Sequence, residues 1–254
     1  MSDYNYIDLF SGVGGFALGA HMAGMKFKEH FASEIDPDCV ELYQLRFPDS
    51  IQLGDISKID CDELKKKYGY KWILTGGFPC QNISCCGKME GIHGEKSSLW
   101  FEYFRTIREL QPAYAVIENV GDISIRGLST IVGNLASVDY ALEGTPIQAY
   151  DAGFPTERKR VWIVAYPEVH RRERSLQNIS EIIKKKSREK NALGSRCGYF
   201  LQFEKLFGEP AVLGMDTRIS RQVVRLGMLG NSIVPQIAAA IWKCIKDILE
   251  TKNE

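Results

Sequence analysis

The sequence predicts an α/β protein whose core is a doubly wound, parallel sheet with helices on both faces. Short apolar runs such as "YIDLF" and "KWILT" alternate with amphipathic segments such as "SSLWFEYFRTIRELQ", and this alternation is typical of such sheets. The glycine turn "SGVGG" directly follows the first apolar run, as in the first strand-to-helix turn of nucleotide-binding folds. At 254 residues, the chain can also bury a sizeable core.

Each element follows from its local pattern. Apolar runs that end in glycine, proline or acidic residues predict strands, whereas apolar residues at helical spacing predict helices. Ser97 and Ser98 mark the start of one helix, because serine side chains accept hydrogen bonds from the free amides of a first turn. In chain order, strands are predicted at 6–10, 27–36, 50–56, 71–79, 113–120 and 157–166, and helices at 16–25, 37–47, 97–111, 128–138 and 231–250.

Composition and cysteine usage restrict the class of protein. The chain is 44% hydrophobic and 25% charged, which is ordinary for soluble proteins. No apolar run approaches the roughly 20 residues that cross a bilayer, and "MSDYNYIDLF" lacks the features of a signal peptide, so we expect a cytoplasmic protein. Seven cysteines are an odd number without an export signal, so we expect neither a disulfide framework nor, lacking a four-ligand set, a structural metal.

The net charge of zero conceals an uneven distribution. Residues 1–155 carry 13 Lys and Arg against 21 Asp and Glu, whereas residues 156–190 carry 11 against 5. A basic segment on an acidic body indicates a local contact with a polyanion. The segment "IIKKKSREK" by itself is more typical of a solvated, charged helix.

The first candidate site is a nucleotide-like pocket. Gly12, Gly14 and Ala17 have the G-x-G-x-x-A spacing between a strand and a helix, which permits close approach of a ligand to the backbone. Glu34 ends the second strand, where it can accept hydrogen bonds from ribose hydroxyls, and Asp55 follows the third, where it can accept one from an adenine amino group. The pattern fits NAD, FAD or S-adenosylmethionine.

The second candidate site combines a thiol, a carboxyl and two arginines. Cys80 follows the fourth strand, Glu118 ends the fifth, and Arg158 and Arg160 alternate at the start of a later strand, so that both face one side. This set suits methylation at C5 of cytosine. Thiolate addition at C6 makes C5 nucleophilic, a carboxyl near N3 acts as general acid, and the arginines favour the thiolate. Taken one at a time, these residues also fit ordinary structural roles. Cys80 could be an inert packed thiol, Glu118 could cap the next helix, and the two arginines could be surface charge.

Five motifs in this order resemble the DNA (cytosine-5-)-methyltransferase family. They are "DLFSGVGGF", "GGFPCQNIS", "ENV", "QAYDAGFPTERKRVWIVA" and "LGNSIVPQIAAAI". The resemblance implies a Rossmann-like S-adenosylmethionine-dependent methyltransferase sheet, with a catalytic domain at 1–166 and 222–254 and a short target-recognition region at 167–221. It also implies a closing helix that returns beside the first strand.

The resemblance also implies roles for individual residues. Cys80 would be the nucleophile, Glu118 its partner at N3, and Arg158 and Arg160 would stabilise the catalytic loop and DNA. S-Adenosyl-L-methionine would be held by Phe10, Gly12, Val13, Gly14, Glu34, Ile35, Asp55, Ile56, Pro79, Leu99, Asn231 and Ser232.

Two further segments depart from or extend the family pattern. Residues 85–101 correspond to the loop that closes over a flipped base, although Cys85 and Cys86 stand where the family usually has small or aliphatic residues. The region 167–221 is short for a recognition domain. Its basic runs "HRRER" and "KKKSREK" suit phosphate contacts, which carry no direct sequence information.

Several alternatives remain open from the sequence. A related branch methylates tRNA but tends to have a second proline where this chain has Phe78. A silent nucleic-acid-binding module of the same fold would not need the intact catalytic set, and a nicotinamide oxidoreductase would leave "PCQ" and "ENV" without a role. The expected partner is double-stranded DNA. The sequence does not distinguish an enzyme that acts with a cognate restriction endonuclease from one that protects the DNA of a mobile element. We expect a monomer that does not bind membranes.

Overall fold

A seven-stranded sheet forms the centre of the molecule in the computed structural model, which describes residues 3–78, 98–120, 125–149, 158–169 and 233–251. The strand order is β3-β2-β1-β4-β5-β7-β6. The strands are Asn5–Leu9 (β1), His30–Ser33 (β2), Ile51–Gln52 (β3), Trp72–Gly77 (β4), Tyr114–Val120 (β5), Tyr140–Gln148 (β6) and Lys159–Pro167 (β7).

Helices cover both faces of this sheet, as the sequence predicts. Asp36 begins the second helix by accepting hydrogen bonds from the amides of Asp38 and Cys39, and Asp60 begins the third by accepting one from Glu63. The helices are Gly15–Met22 (α1), Pro37–Arg46 (α2), Cys61–Tyr68 (α3), Ser98–Leu110 (α4), Ile125–Ala136 (α5) and Pro235–Thr251 (α6), with a 3₁₀ turn at Ile56–Lys58. None of these helices has the length and apolar character needed to cross a membrane.

The sheet is parallel, as predicted, from β3 to β5, but it is antiparallel at one edge. The pairs β1–β2, β1–β4, β2–β3 and β4–β5 are parallel, but β7 runs antiparallel to both β5 and β6. Only the segment 149–158 connects β6 to β7, and a parallel crossover needs about a dozen residues or more. The short connection therefore requires the reversed strand.

Two elements were absent from the predicted order. Helix α3 has the sequence "CDELKKKY", in which only Cys61 and Leu64 are buried, so its apolar pattern is too sparse to recognise. Strand β6 contains Gly144 and Pro146, residues that are depleted in strands. Pro146 is tolerated because β6 lies at the edge of the sheet.

The hydrophobic core is divided by the sheet into two layers. One layer packs side chains of α1 and α6, including Phe16 and Trp242, against the sheet. The other packs side chains of α4 and α5, including Trp100 and Ile131, against the opposite face. These two layers confirm the doubly wound α/β fold.

The first and last helices approach each other unusually closely. A Cβ atom added to Gly19 would lie 2.5 Å from the Cβ atom of Ala238, and one added to Gly15 would lie 2.7 Å from that of Ile233. The Trp242 indole N–H donates a 3.1 Å hydrogen bond to the Phe16 carbonyl. The closing helix thus packs beside the first strand-to-helix unit, as expected.

Candidate active site

The glycine turn after β1 has a backbone that few residues adopt without strain. Gly12 and Gly14 have φ angles of 50° and 86°, in the left-handed region that favours glycine. A Cβ atom on Gly14 would lie 2.8 Å from the Phe47 ring and 3.1 Å from that of Tyr43. Phe10 also has a positive φ, of 52°. The turn is therefore shaped by glycine where it lies against the end of α2.

Two charged residues hold this turn from its neighbouring elements. The Arg46 guanidinium, on α2, donates to the carbonyl oxygen of Val13. The Gly12 amide donates a 2.8 Å hydrogen bond to Glu34 Oε2, while Glu34 Oε1 accepts from the amides of Ile35 and Asp36. Glu34 thus connects the end of β2 to the glycine turn.

The third predicted acid lies on the next strand end. Asp55 begins the 3₁₀ turn by accepting hydrogen bonds at Oδ1 from the Ser57 amide and hydroxyl, 2.9 and 2.8 Å long. These bonds hold the pKa of the Asp55 carboxyl below its ordinary value. Because β3, β2 and β1 are consecutive parallel neighbours, Asp55, Glu34 and Gly12 all follow strand ends at one edge of the sheet.

The other predicted cofactor residues are distributed around this edge. The Ile35 side chain is 76% exposed, so it offers an apolar surface to a ligand. The Ile56 side chain is buried in the core. Leu99 is partly buried at the start of α4, in the same hydrophobic layer that Phe10 packs against. Pro79, Asn231 and Ser232 lie outside the described residues.

Glu118 occupies a buried position between β4 and β7. It pairs in register with Gly77 of β4 and Trp162 of β7. A Cβ atom on Gly77 would come within 3.0 Å of Glu118 Oε2 and 3.2 Å of Ile233 Cδ1. Glycine at position 77 therefore leaves the space that the carboxyl group fills.

The predicted carboxyl and arginines are brought together. Arg160 Nε lies 3.1 Å from Glu118 Oε1. Burial raises the pKa of Glu118 to about 7, although the positive charges of Arg160 and Arg158 act to lower it. Burial and the charge of Arg160 lower the pKa of Arg158. Glu118 can thus exist as a neutral acid near neutral pH, although two positive charges act on it.

Cys80 lies outside the described residues, as do residues 85–97 of the predicted loop and nearly all of the predicted target-recognition region. The fourth strand, which leads to the cysteine, ends at Gly77 beside Glu118. The roles given to Cys80 and the recognition region therefore stay predictions.

A buried polar network below the glycine turn was missed by sequence reasoning. Asp8 accepts hydrogen bonds from Thr75 Oγ1 at 2.9 Å and Tyr43 Oη at 3.2 Å. Tyr43 Oη also lies 2.8 Å from His30 Nε2, and Tyr6 Oη lies 2.8 Å from Thr75 Oγ1. Burial raises the pKa of Asp8 to about 7 and lowers that of His30 to about 4. An aspartate inside the strand "YIDLF" was the available signal, because charged side chains are rarely buried without partners.

Comparison with known proteins identifies the family to which the chain is similar. A family model for C-5 cytosine-specific DNA methylases matches residues 4–205. The Type II methyltransferase M1.ScrFI of Lactococcus lactis subsp. cremoris is 36% identical over 201 residues, which are 76% of this chain and 49% of that protein. The Type II methyltransferase M.HhaI of Haemophilus parahaemolyticus is 28% identical over 170 residues, 65% of this chain and 50% of that protein.

A solved structure shows the same fold. A prophage-encoded protein of E. coli, described as a DNA modification methyltransferase, gives a TM-score of 0.55 at 32% identity. The likeness covers 66% of this chain and 48% of that one. The chain spans about half the length of the curated relatives it matches.

Proposed function

The chain belongs to the C-5 cytosine-specific DNA methylase family, and we propose that it transfers a methyl group from S-adenosyl-L-methionine to C5 of a cytosine in duplex DNA. The observation that carries this proposal is Glu118, a buried carboxyl with a pKa of about 7 beside Arg160. A carboxyl that titrates near neutral pH can donate a proton to a ring nitrogen, which an ordinary glutamate does poorly.

Cys80 is the proposed nucleophile. Its thiolate forms a bond to C6 of the cytosine, which places negative charge on the ring. Glu118 stabilises that charge by donating a proton or a strong hydrogen bond at N3. C5 then takes the methyl group as the methyl–sulfonium bond breaks and leaves a neutral thioether. Water takes the C5 proton, the electrons of that C–H bond expel the Cys80 thiolate from C6, and N3 returns its proton to Glu118. When bound, S-adenosylmethionine supplies an electrophilic methyl group on a sulfonium centre.

Arg158 and Arg160 contribute through their positive charges. Arg160 contacts Glu118 directly, and both arginines lower the cost of negative charge in the buried pocket. The same charges would favour the thiolate form of a nearby cysteine. We propose that they also hold the catalytic loop and the phosphate of a flipped nucleotide, whose removal from the stack costs a few kcal/mol.

The strand ends of β1, β2 and β3 form the proposed cofactor pocket. In this proposal Glu34 binds the ribose hydroxyls and Asp55 binds the adenine amino group, with Ile35 and Ile56 beside the adenine ring. Glu34 and Asp55 fit these roles because each already accepts hydrogen bonds from N–H or O–H donors at this edge. The glycine turn, with Phe10, Val13, Pro79, Leu99, Asn231 and Ser232, would complete the pocket.

The proposed partner is double-stranded DNA, read by residues 167–221. Two of the similar proteins are named Type II methyltransferases, which supports a cognate restriction endonuclease as a functional partner. We propose that the protein acts in the cytoplasm as a monomer, with residues 1–166 and 222–254 as its catalytic domain.

Transfer of tritium from labelled S-adenosylmethionine tests the substrate class. We expect label in duplex DNA, at cytosine C5, and none in tRNA. Label only in tRNA would assign the protein to RNA methylation. Cofactor binding without transfer to either substrate would support a silent binding module.

A further inference from the structure

We propose that Arg105 is a positioning residue that fixes the adenine end of the cofactor pocket, an inference that rests on the proposed function. Arg105 lies on α4 and donates from Nη2 to the Ile56 carbonyl at 2.9 Å and from Nη1 to the Ile59 carbonyl at 3.2 Å. These two carbonyls begin and end the turn that follows Asp55.

The guanidinium is itself held in one orientation. Arg105 Nε lies 2.8 Å from Glu102 Oε2, and Nη1 lies 2.9 Å from Glu109 Oε2. Both carboxylates lie on the same helix, three residues before and four residues after the arginine. A planar group fixed by two carboxylates donates its remaining N–H groups in fixed directions. The carbonyls of the turn lie in those directions.

The sheet itself contributes few hydrogen bonds to this turn, whose Ile56 and Ile59 side chains are buried in the core. Strand β3 has only two residues, Ile51 and Gln52. Beyond it, the Leu53 amide donates to the Ala32 carbonyl at 2.8 Å, and Ser33 Oγ donates to the Gly54 carbonyl at 2.6 Å. These bonds hold the turn from the β2 side. Arg105 holds the turn from α4, through its hydrogen bonds to the Ile56 and Ile59 carbonyls.

The consequence is selectivity for adenine. Asp55 can accept a hydrogen bond from the adenine amino group only if its carboxylate stays in place, and Ile56 must stay against the ring. Loss of Arg105 frees the turn without removing either contact residue. We therefore expect weaker discrimination against a purine that lacks the amino group, with little effect on the chemistry at Glu118.

Binding of S-adenosyl-L-homocysteine and S-inosyl-L-homocysteine, measured by calorimetry, tests this role. The inosyl compound carries a carbonyl in place of the amino group. For Arg105→Met, we expect affinity for the adenosyl compound to fall about tenfold and affinity for the inosyl compound to fall less. The KM for S-adenosylmethionine should rise while kcat changes less than about twofold. Arg105→Lys, which can reach one carbonyl but not both, should lie between.

Arg108→Met is the matched control, because Arg108 lies on the same helix, is 55% exposed and lies 3.6 Å from Glu109. Its ligand affinities should equal those of the wild type. Equal loss of both ligands in Arg105→Met would overturn the inference, as would a lower melting temperature with unchanged preference. If Arg105→Met does not fold, an unchanged preference in Arg105→Lys would overturn it. Failure of the wild type to bind either ligand would instead refute the proposed function.

Discussion

Glu118 is both buried and close to two arginines, and these two features shift the pKa of its carboxyl group in opposite directions. A carboxylate near two arginines is expected to have a lowered pKa, yet burial raises this one to about 7. The sequence grouped Glu118 with the two arginines in one candidate site, and the alternation of residues along a strand predicted that the arginines share a face. It did not predict the degree of burial, which depends on Gly77 and Ile233 from distant parts of the chain.

Replacing Glu118 with glutamine should remove the proton donor and keep the shape of the side chain. We expect the methylation rate to fall about 100-fold or more, with affinity for S-adenosylmethionine nearly unchanged. The rate of the wild type should fall as pH rises through about 7, because Glu118 then loses its proton, and this limb should be absent from the variant. Steady-state kinetics from pH 6 to 9 measure both effects. Glu41→Gln, an exposed change on α2, should behave as wild type.

Cys80→Ser should abolish turnover, because a serine hydroxyl is far less ionised than a thiol near neutral pH. Cofactor affinity should be retained. Duplex DNA that contains 5-fluorocytosine should form a covalent adduct with the wild type, because fluorine at C5 blocks the final elimination. The adduct is detected by denaturing electrophoresis. Cys244→Ser should still form it, and methylation by Cys80→Ser would falsify the nucleophile assignment.

At the scale of elements, the contact between α1 and α6 limits which residues can occupy position 19. Alanine is the better helix former by about 1 kcal/mol, but its Cβ atom would lie 2.5 Å from Ala238. We expect Gly19→Ala to lower the free energy of unfolding by about 1–3 kcal/mol. Denaturant unfolding measures the change.

Gly133→Ala provides the matched control for this prediction. Gly133 lies within α5, and a Cβ atom there would meet nothing within 4 Å. That substitution should be neutral or stabilising by up to about 1 kcal/mol. Equal stability changes at the two positions would show that helix packing is not the cause.

The elements that sequence patterns predicted are those with strong local signals. Strand β1, helix α4 and helix α6 each have a continuous apolar run or a clear amphipathic period. Helix α3 and strand β6 lack such a period, and the direction of β7 depends on the length of its connection to β6. Pairing between strands is a non-local property that a pattern along one segment does not contain.

For the whole molecule, Asp8 and His30 give opposite dependences of stability on pH. The folded-state pKa of Asp8, about 7, lies above its ordinary value of 3.8, so its stabilising contribution is present below pH 4 and is lost as pH rises through 7. The folded-state pKa of His30, about 4, lies below its ordinary value of 6.5. Its contribution is therefore present above pH 6.5 and lost as pH falls through 4.

Asp8→Asn should remove the first of these two dependences. Relative to the wild type, the variant should become progressively more stable as pH rises from 5 to 8, because the wild type alone must ionise a buried carboxyl. Urea unfolding at several pH values measures the difference. Asp49→Asn, at an exposed position, should run parallel to the wild type. A constant difference between Asp8→Asn and the wild type would contradict the assignment.

The candidate site was only partly predictable at this scale. Glu118 and Arg160 belong to motifs that occur in a recognisable order along the chain, and Glu34 and Asp55 follow successive predicted strands. Arg105 belongs to none of the five motifs, and Asp8 begins the motif "DLFSGVGGF" but has no role that the motif predicts. The roles of both residues arise from contacts with residues more than 40 positions away. Such contacts become visible only when the sheet and its layers are assembled.

The hydrogen bond from Trp242 to Phe16 spans 226 positions of the chain. During synthesis, the ribosome must therefore add more than 200 residues after α1 before α6, which packs against α1, is present. Until then the side of α1 that packs against α6 lacks that partner, and loop closure over such a distance slows folding. Newly made enzyme should gain activity only after synthesis has passed α6, so that methylation begins with a delay set by translation itself.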